Sequence, residues 1–175
     1  MNNLRIAVVG ALGAVGTEMI KTLERRQFPV SKLIPIDIPS LAGNEVKFRG
    51  KDVAVRAAGK GAFADVDIAL FSAGAEASIE LAPIAVSEGA VVIDNSSAWR
   101  MDPEVPLVVP EVNPDALDRH KGLIANPNCS TIQMVVALKP IHDAYRIKRV
   151  VVSTYQAVSG GGTAAINELK SQAEQ

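Results

Sequence analysis

Cysteine and histidine are scarce in this chain of 175 residues, which excludes two common kinds of cross-link. Cys129 is the one cysteine, so an internal disulfide cannot form and no Cys-x-x-Cys pair is available for zinc. The two histidines, His120 and His142, lie far apart and lack the spacing of metal ligands. We therefore predict that the protein holds no metal ion.

Long apolar runs and clusters of one charge are missing as well. No stretch reaches the roughly 18 apolar residues of a membrane-spanning helix, and no secretory leader begins the sequence. Lys and Arg total 18 against 19 Asp and Glu, without a basic run, which argues against nucleic-acid or membrane binding. The hydrophobic fraction of 48% predicts a globular protein with a real core, which we expect in the cytoplasm.

The first segment combines a strand, a glycine-rich turn and a helix. Residues 4–9 form a short apolar run, glycines follow at Gly10, Gly13 and Gly16, and residues 17–26 have helical periodicity. Glycines here permit a tight turn and close approach of a phosphate, and the helix N-terminus would receive the pyrophosphate of a nucleotide. The spacing is GxxGxxG rather than the common GxGxxG, so a tight βα turn without a ligand is the alternative to nucleotide binding.

A second strand is predicted over residues 32–38, with Pro35 indicating an irregular or edge position. Asp37 lies about twenty residues beyond Gly16, where an acidic side chain can accept a hydrogen bond from a ribose 2′-hydroxyl and favour NAD. A turn aspartate preceding Pro39 is an equally good interpretation.

Strands and helices then alternate along the chain. We predict a hairpin over 46–55, strands over 68–72 and 90–94, and between these strands a helix over 75–88 capped by Gly89. This alternation predicts an α/β fold with a Rossmann-like, doubly wound and mostly parallel sheet. Polar clusters follow several strands, at 72–74, at 95–97 and around Cys129, so a site is expected at that edge of the sheet.

Cys129 lies between a predicted strand at 122–125 and a predicted helix at 131–139. Free N–H groups and the positive end of the helix dipole favour a thiolate there, as a nucleophile requires. A small buried hydrophobe is the competing interpretation. Arg100 could clamp an anionic substrate, although a surface arginine is the more ordinary outcome.

The last segment has a different pattern. Residues 147–156 alternate strongly and predict a strand of a second sheet, and a glycine-rich turn precedes a helix predicted from 164 to 175. One strand and one helix cannot bury their apolar faces alone. We therefore expect a Rossmann domain over 1–130 and the beginning of an incomplete α+β domain over 131–175. The chain would be part of a longer protein, a truncated product, or completed by a partner.

Five ordered motifs resemble those of the aspartate-semialdehyde dehydrogenase family across essentially the whole chain. They are the glycine loop at 10–16, Asp-Asn-Ser-Ser-Ala-Trp-Arg-Met at 94–101, Val-Pro-Glu-Val-Asn at 109–113, Asn-Pro-Asn-Cys-Ser-Thr at 126–131 and Tyr-Gln-Ala-Val-Ser-Gly at 155–160. Related acyl-phosphate reductases share the chemistry but do not have the residue sequences of the last two motifs.

The resemblance implies interconversion of aspartyl β-phosphate and aspartate β-semialdehyde, using NADP and inorganic phosphate, in lysine, threonine, methionine and diaminopimelate biosynthesis. It implies a Cys129 thiolate that forms a thioester, with Gln156 orienting the substrate. It also assigns the phosphate or acyl phosphate to Arg100, Asn128 and Ser159. The cofactor would contact the glycine loop and its surroundings, namely Gly10, Leu12, Gly13, Ala14, Val15, Gly16, Asp37, Ser72, Gly74 and Asn95. A homodimer is implied if the second domain is present.

Two departures from the family pattern matter. The stretch 36–43 has no arginine to bind a 2′-phosphate, and Asp37 would repel one, so NAD is the alternative cofactor. The segment with the family's catalytic histidine and the arginine for the substrate carboxylate is absent, and His142 does not replace that histidine. We therefore expect this chain to be inactive alone. The alternative is a non-catalytic nucleotide-binding or dimerising fragment, and a reductase of another acyl phosphate is a weaker one.

Overall fold

A computed structural model describes residues 4–174. Its helices are α1 (Ala14–Arg25), α2 (Ala75–Ser87), α3 (Cys129–Tyr145) and α4 (Gly162–Ala173). Its strands are β1 (Leu4–Val9), β2 (Val30–Asp37), β3 (Glu45–Phe48), β4 (Lys51–Ala54), β5 (Arg56–Ala57), β6 (Ile68–Phe71), β7 (Val91–Asp94) and β8 (Leu123–Ala125). Short 3-10 turns occur at Pro39–Leu41, Pro114–Arg119 and Val158–Gly161.

Six strands form one parallel sheet in the order β5-β2-β1-β6-β7-β8, and β3 and β4 form a separate antiparallel hairpin. The order reverses direction at β1, which lies between β2 and β6. This is the doubly wound α/β arrangement that the alternating pattern predicts, and it is confirmed. The carboxyl ends of β1, β6, β7 and β8 therefore share one edge.

Each face of the sheet has its own core. One face packs Ala7, Val9, Phe71 and Val92 with α2 and the loop around Phe63, whose ring stacks on Phe71 at 5.9 Å. The other face buries Ile6 and Val8 beneath Ile20 of α1, with Phe48 of the hairpin closing the side. Alternate residues of β1 thus point into opposite cores, as buried strands of parallel sheets do.

Local predictions hold with small shifts of boundary. Gly89 has φ +97° directly after α2, so the predicted glycine cap is confirmed. Pro35 is tolerated inside β2 because β5 pairs only with Ile36 and Asp37, so within residues 4–174 that edge of β2 has no other strand neighbour. The hairpin turns through Arg49 and Gly50, both at positive φ.

The strand predicted over 147–156 is wrong. These residues have neither helix nor strand, and side chains such as Val151 and Tyr155 are 80% and 99% exposed. Among residues 4–174 no strand lies beside them, and an unpaired strand cannot satisfy its backbone N–H and C=O groups. The last helix is present as α4 but ends at Ala173, and Gln175 lies outside the described residues.

Candidate active site

The glycine loop between β1 and α1 depends on close backbone contacts. Gly10 has φ +79°, and a Cβ on it would stand 2.5 Å from the Ser72 carbonyl oxygen. A Cβ on Gly16 would stand 2.0 Å from the Gly10 carbonyl oxygen. Gly13 is the N-cap residue of α1, and no side chain within residues 4–174 caps this end of the helix. The backbone N–H groups of the first turn of α1 therefore remain available to an anion.

Asp37, at the end of β2, braces this loop. Its Oδ2 accepts from the Leu12 backbone N–H at 2.9 Å, and its Oδ1 accepts from the Ile38 N–H at 2.9 Å. Asp37 also lines a cavity of about 330 Å³ over the loop, together with Gly10, Gly13, Leu41, Ala77 and Leu81. The carboxylate is therefore both a turn aspartate and a wall of the cavity, so the two interpretations of Asp37 are compatible.

A second cavity, of about 430 Å³, lies at the carboxyl ends of β6, β7 and β8. Seven of the predicted site residues line it: Val15, Ser72, Gly74, Asn95, Arg100, Asn128 and Cys129. Ser72 lines both cavities, which places them side by side along one edge of the sheet. This is the edge at which parallel α/β sheets bind their ligands.

Cys129 is the first residue of α3 and is exposed, which excludes the buried-hydrophobe interpretation. Asn128 is the helix N-cap, and its side-chain oxygen accepts from the Ser130 N–H at 3.0 Å. Pro127 precedes the cap and is buried, so the chain turns sharply from β8 into the helix. The sulfur consequently lies at the positive end of a helix of 17 residues and beside an open cavity.

Gln156 approaches the cysteine although its segment is not a strand. Its Oε1 lies 4.0 Å from the Cys129 sulfur, and its Nε2 donates to Ser130 Oγ at 3.1 Å. The structure thus brings together two residues that are 27 positions apart in the sequence.

Arg100 is half-buried and oriented by main-chain carbonyls. Its Nε donates to the Asn126 carbonyl at 3.0 Å, and Nη2 donates to the Asn95 carbonyl at 2.8 Å. The Asn126 side chain in turn donates to Asn95 Oδ1. Because no partner for Nη1 occurs within the described part of the chain, that nitrogen is available to an anion in the cavity.

Not every predicted site residue lines a cavity. Ala14 is exposed at the start of α1, and Gly16 is buried against the loop. Gln156 and Ser159 are exposed and line neither cavity, although Gly160 lines the second one. The second cavity is also lined by residues to which the sequence assigned no individual role, and all of these except Ile132 lie within the five motifs: Ser96, Asn126, Pro127, Ile132 and Gly160. Ser130 was also missed, although it stands inside the cysteine motif.

From residue 4 to residue 174, no three His, Cys, Asp or Glu side chains are grouped so that they could hold a metal ion. No helix in that range is both long and apolar enough to cross a bilayer.

Family models place this geometry in context. Residues 5–120 match the model described as semialdehyde dehydrogenase, NAD binding domain, and residues 138–175 match the model for the dimerisation domain of the same family. The chain belongs to the semialdehyde dehydrogenase family. The glycine loop, Asp37 and the whole lining of the first cavity fall within the first match. Of the second cavity, the residues from Val15 to Arg100 fall within it, whereas Cys129 and the other residues beyond 120 do not.

Individual semialdehyde dehydrogenases agree with this assignment and confirm the resemblance. The chain is 59% identical over 171 residues to an aspartate-semialdehyde dehydrogenase of Aquifex aeolicus, covering 96% of this chain and 50% of that protein. It is 56% identical to the Bacillus subtilis protein of the same name, covering 98% and 49%. The chain therefore spans about half the length of the curated relatives it matches.

Solved structures of the family share the fold. A crystal structure of aspartate semialdehyde dehydrogenase II from Vibrio cholerae complexed with ASA has a TM-score of 0.93 at 50% identity, covering 98% of this chain and 52% of that one. A probable aspartate-semialdehyde dehydrogenase from Pseudomonas aeruginosa has a TM-score of 0.83 at 26% identity, covering 98% and 52%.

Proposed function

We propose that this chain binds a nicotinamide dinucleotide and carries the nucleophile of an aspartate-semialdehyde dehydrogenase. The observation that carries the proposal is the exposed Cys129 at the start of α3, in a cavity that shares Ser72 with the cavity over the glycine loop. A dinucleotide fits this arrangement, because one cavity is mainly apolar and suits an adenine ring, while uncapped amides of α1 suit the pyrophosphate.

The Cys129 thiolate would attack the carbonyl carbon of the substrate. In the biosynthetic direction, the sulfur displaces phosphate from aspartyl β-phosphate and forms a thioester. In the oxidative direction, phosphate cleaves the same thioester. The N-terminal amides of α3 stabilise the sulfur anion, and sulfur serves as both nucleophile and leaving group. When bound, the cofactor would supply the hydride that reduces the thioester carbonyl carbon, or would take that hydride up in the oxidative direction. The C–S bond of the resulting thiohemiacetal then breaks, which releases the semialdehyde and frees the Cys129 sulfur.

The residues around the sulfur have separate tasks in this scheme. Arg100, anchored through Nε and Nη2, offers Nη1 to the phosphate oxygens, with Asn128 beside it. Gln156 orients the substrate at the thiol. Ser159, which is exposed beside Gly160 at the cavity, would join the phosphate contacts.

A direct test uses the single cysteine. We expect incubation of the chain with aspartyl β-phosphate to add one aspartyl group at Cys129, detected by intact mass and peptide mapping. Cys129→Ala should remain unmodified, and Arg100→Lys should slow the reaction because lysine cannot keep both carbonyl contacts. In the full-length protein, normal phosphate-dependent oxidation by Cys129→Ala would refute the proposal.

For the cofactor, we propose NAD in preference to the NADP that the resemblance implies. The cavity over the loop is lined by Asp37 and by no lysine or arginine among the described residues, which suits a ribose diol and disfavours a 2′-phosphate. We expect tighter binding of NAD than of NADP in parallel titrations. Asp37→Asn keeps one acceptor oxygen but removes the charge. We expect this variant to reduce the ratio of the NADP dissociation constant to the NAD dissociation constant by about tenfold. A parent chain that prefers NADP would contradict this assignment.

A second candidate function is a nucleotide-binding or dimerising fragment without catalysis. It is favoured by α3 and α4, which contain no buried residue within the described range. Cofactor binding without turnover by this chain would support it.

A homodimer formed through residues 138–175 is proposed from the dimerisation-domain match, and sedimentation would test it. The full-length enzyme would act in the cytoplasm, in lysine, threonine, methionine and diaminopimelate biosynthesis.

A further inference from the structure

The hydroxyl of Ser130 lies between the amide side chains of Asn128 and Gln156, and Gln156 also contacts the Cys129 sulfur. Ser130 Oγ donates to Asn128 Oδ1 at 2.6 Å and accepts from Gln156 Nε2 at 3.1 Å. Ser130 is half-buried at the second position of α3, whereas Gln156 is exposed and lies outside any helix or strand. The short, half-buried side chain of Ser130 therefore binds the long, exposed side chain of Gln156 through a hydrogen bond.

The direction of these hydrogen bonds follows from the donors available. Asn128 Oδ1 is identified as the oxygen because the backbone N–H of Ser130 donates to it at 3.0 Å. Because Asn128 Oδ1 has no proton of its own, the Ser130 hydroxyl must donate its single proton to that oxygen. Ser130 Oγ can then only accept from Gln156, so Gln156 must turn its NH2 group toward the serine. Its Oε1 is consequently the atom that faces the sulfur, at 4.0 Å.

We propose that Ser130 is a positioning residue whose hydroxyl sets the orientation of the Gln156 amide, so that oxygen rather than nitrogen faces Cys129. The proposal rests on the proposed role of Cys129 as the nucleophile. An amide oxygen accepts a hydrogen bond from the neutral thiol and repels the negative charge of a thiolate. Ser130 thus restrains the reactivity of the free cysteine through Gln156.

The rate of alkylation of Cys129 by iodoacetamide measures this restraint. The chain contains one cysteine, so intact mass at neutral pH follows a single reaction. Ser130→Ala releases the Gln156 amide, and we expect alkylation to become about threefold to tenfold faster, the scale of one neutral hydrogen bond. Ser130→Thr keeps the hydroxyl and should restore the parent rate. An unchanged or slower rate in Ser130→Ala would overturn the proposal.

A double-mutant cycle tests whether Ser130 acts through Gln156. Gln156→Ala, on an exposed segment that does not enter either core, should also accelerate alkylation. Ser130→Ala should then add nothing in the Gln156→Ala background. Persistence of the full Ser130 effect there would contradict the proposed route. Because the Gln156→Ala rate alone must rise, the proposal stays testable even if Ser130→Ala does not fold.

These measurements need neither cofactor nor substrate. Failure of the alkylation cycle would leave thioester formation at Cys129 untouched, since that reaction is followed by its own mass change. Conversely, absence of a thioester in the full-length protein, with a positive alkylation cycle, would remove the proposed enzyme function while keeping Ser130 as the residue that orients Gln156.

Discussion

Residues 4–128 and residues 129–174 have comparable apolar patterns, yet only the first region buries them. Ile6 and Val8 of β1 are 2% and 0% exposed between two neighbouring strands. Val151 and Tyr155, in an equally regular alternation, are 80% and 99% exposed. The comparison teaches that alternation records which face could be buried, whereas a strand forms only beside a partner.

The helices of the two regions differ in the same way. Helix α2 buries Ser78, Leu81, Ala82 and Ala85 against the sheet. Helix α3 is longer than α2, and α4 is about the same length. Neither α3 nor α4 contains a buried residue among the residues that the structure describes. Local signals suffice to form all of these helices, but within residues 4–174 only those of the first region contain fully buried side chains. The reactive end of α3 is nevertheless held firmly, because Asn128 and the end of β8 belong to the first region.

The strongest test of the comparison removes one aromatic ring from each region. Phe71 is fully buried and stacked on Phe63, so Phe71→Ala should lower the free energy of unfolding by about 4 kcal/mol. Tyr155→Ala should change it by less than about 0.5 kcal/mol. Urea unfolding followed by circular dichroism measures both. Similar losses for the two variants would show that the second region also has a core.

Backbone contact at the glycine loop should give the next largest effect. Gly16→Ala would place a methyl group 2.0 Å from the Gly10 carbonyl oxygen, and we expect a loss of roughly 3 kcal/mol together with loss of NAD binding. Gly13→Ala is the matched control, because its Cβ would stand 3.2 Å from the same oxygen and Gly13 has φ −71°. Equal stability of the two variants would contradict the close packing of α1 on β1.

Charge contributes least to the first region, and its effect depends on pH. The Arg56 guanidinium, followed by the Lys32 ammonium, lowers the pKa of Asp65 below its ordinary value. A lowered folded-state pKa stabilises the fold above the unfolded-state pKa, and this stabilisation is lost as pH falls toward the folded-state pKa.

Asp65→Asn should therefore cost about 1 kcal/mol at neutral pH, because Asp65 is 35% exposed, and progressively less in acid. Stability curves against pH for the parent and the variant make the measurement. Glu104→Gln, at a fully surface-exposed pair with Lys121, is the control and should have no measurable effect. A penalty that grows in acid would reverse the predicted sign.

Much of the first region was predictable because its signals are local. The run before Gly10, the glycine spacing and the apolar face of the next helix together predict a βα unit, and repetition of such units predicts a parallel sheet. Parallel strands end at one edge, so Ser72, Asn95 and Cys129 could be assigned to a shared site before any coordinates were known. In the structure these three residues line one cavity, and their role in a functional site stays a prediction.

The contacts of side chains in the site were less predictable. Asp37 was open to two interpretations because its hydrogen bond to the Leu12 amide joins residues 25 positions apart. The role of Ser130 was not predictable, because a serine next to a helix N-cap is common and its contact with Gln156 joins residues 26 positions apart. The strand at 147–156 failed because its pattern contains no information about a neighbour.

The sequence by itself determined the alternation of strands and helices up to α3, the βα glycine turn and the placement of Cys129 at a helix start. These features depend on propensities and periodicities within a few residues. The tertiary structure decided which alternating segments became strands, how Arg100 is anchored by two carbonyls, and which atom of Gln156 faces the sulfur. Those outcomes depend on pairing and hydrogen-bond partners distant in the chain, and no local pattern contains them.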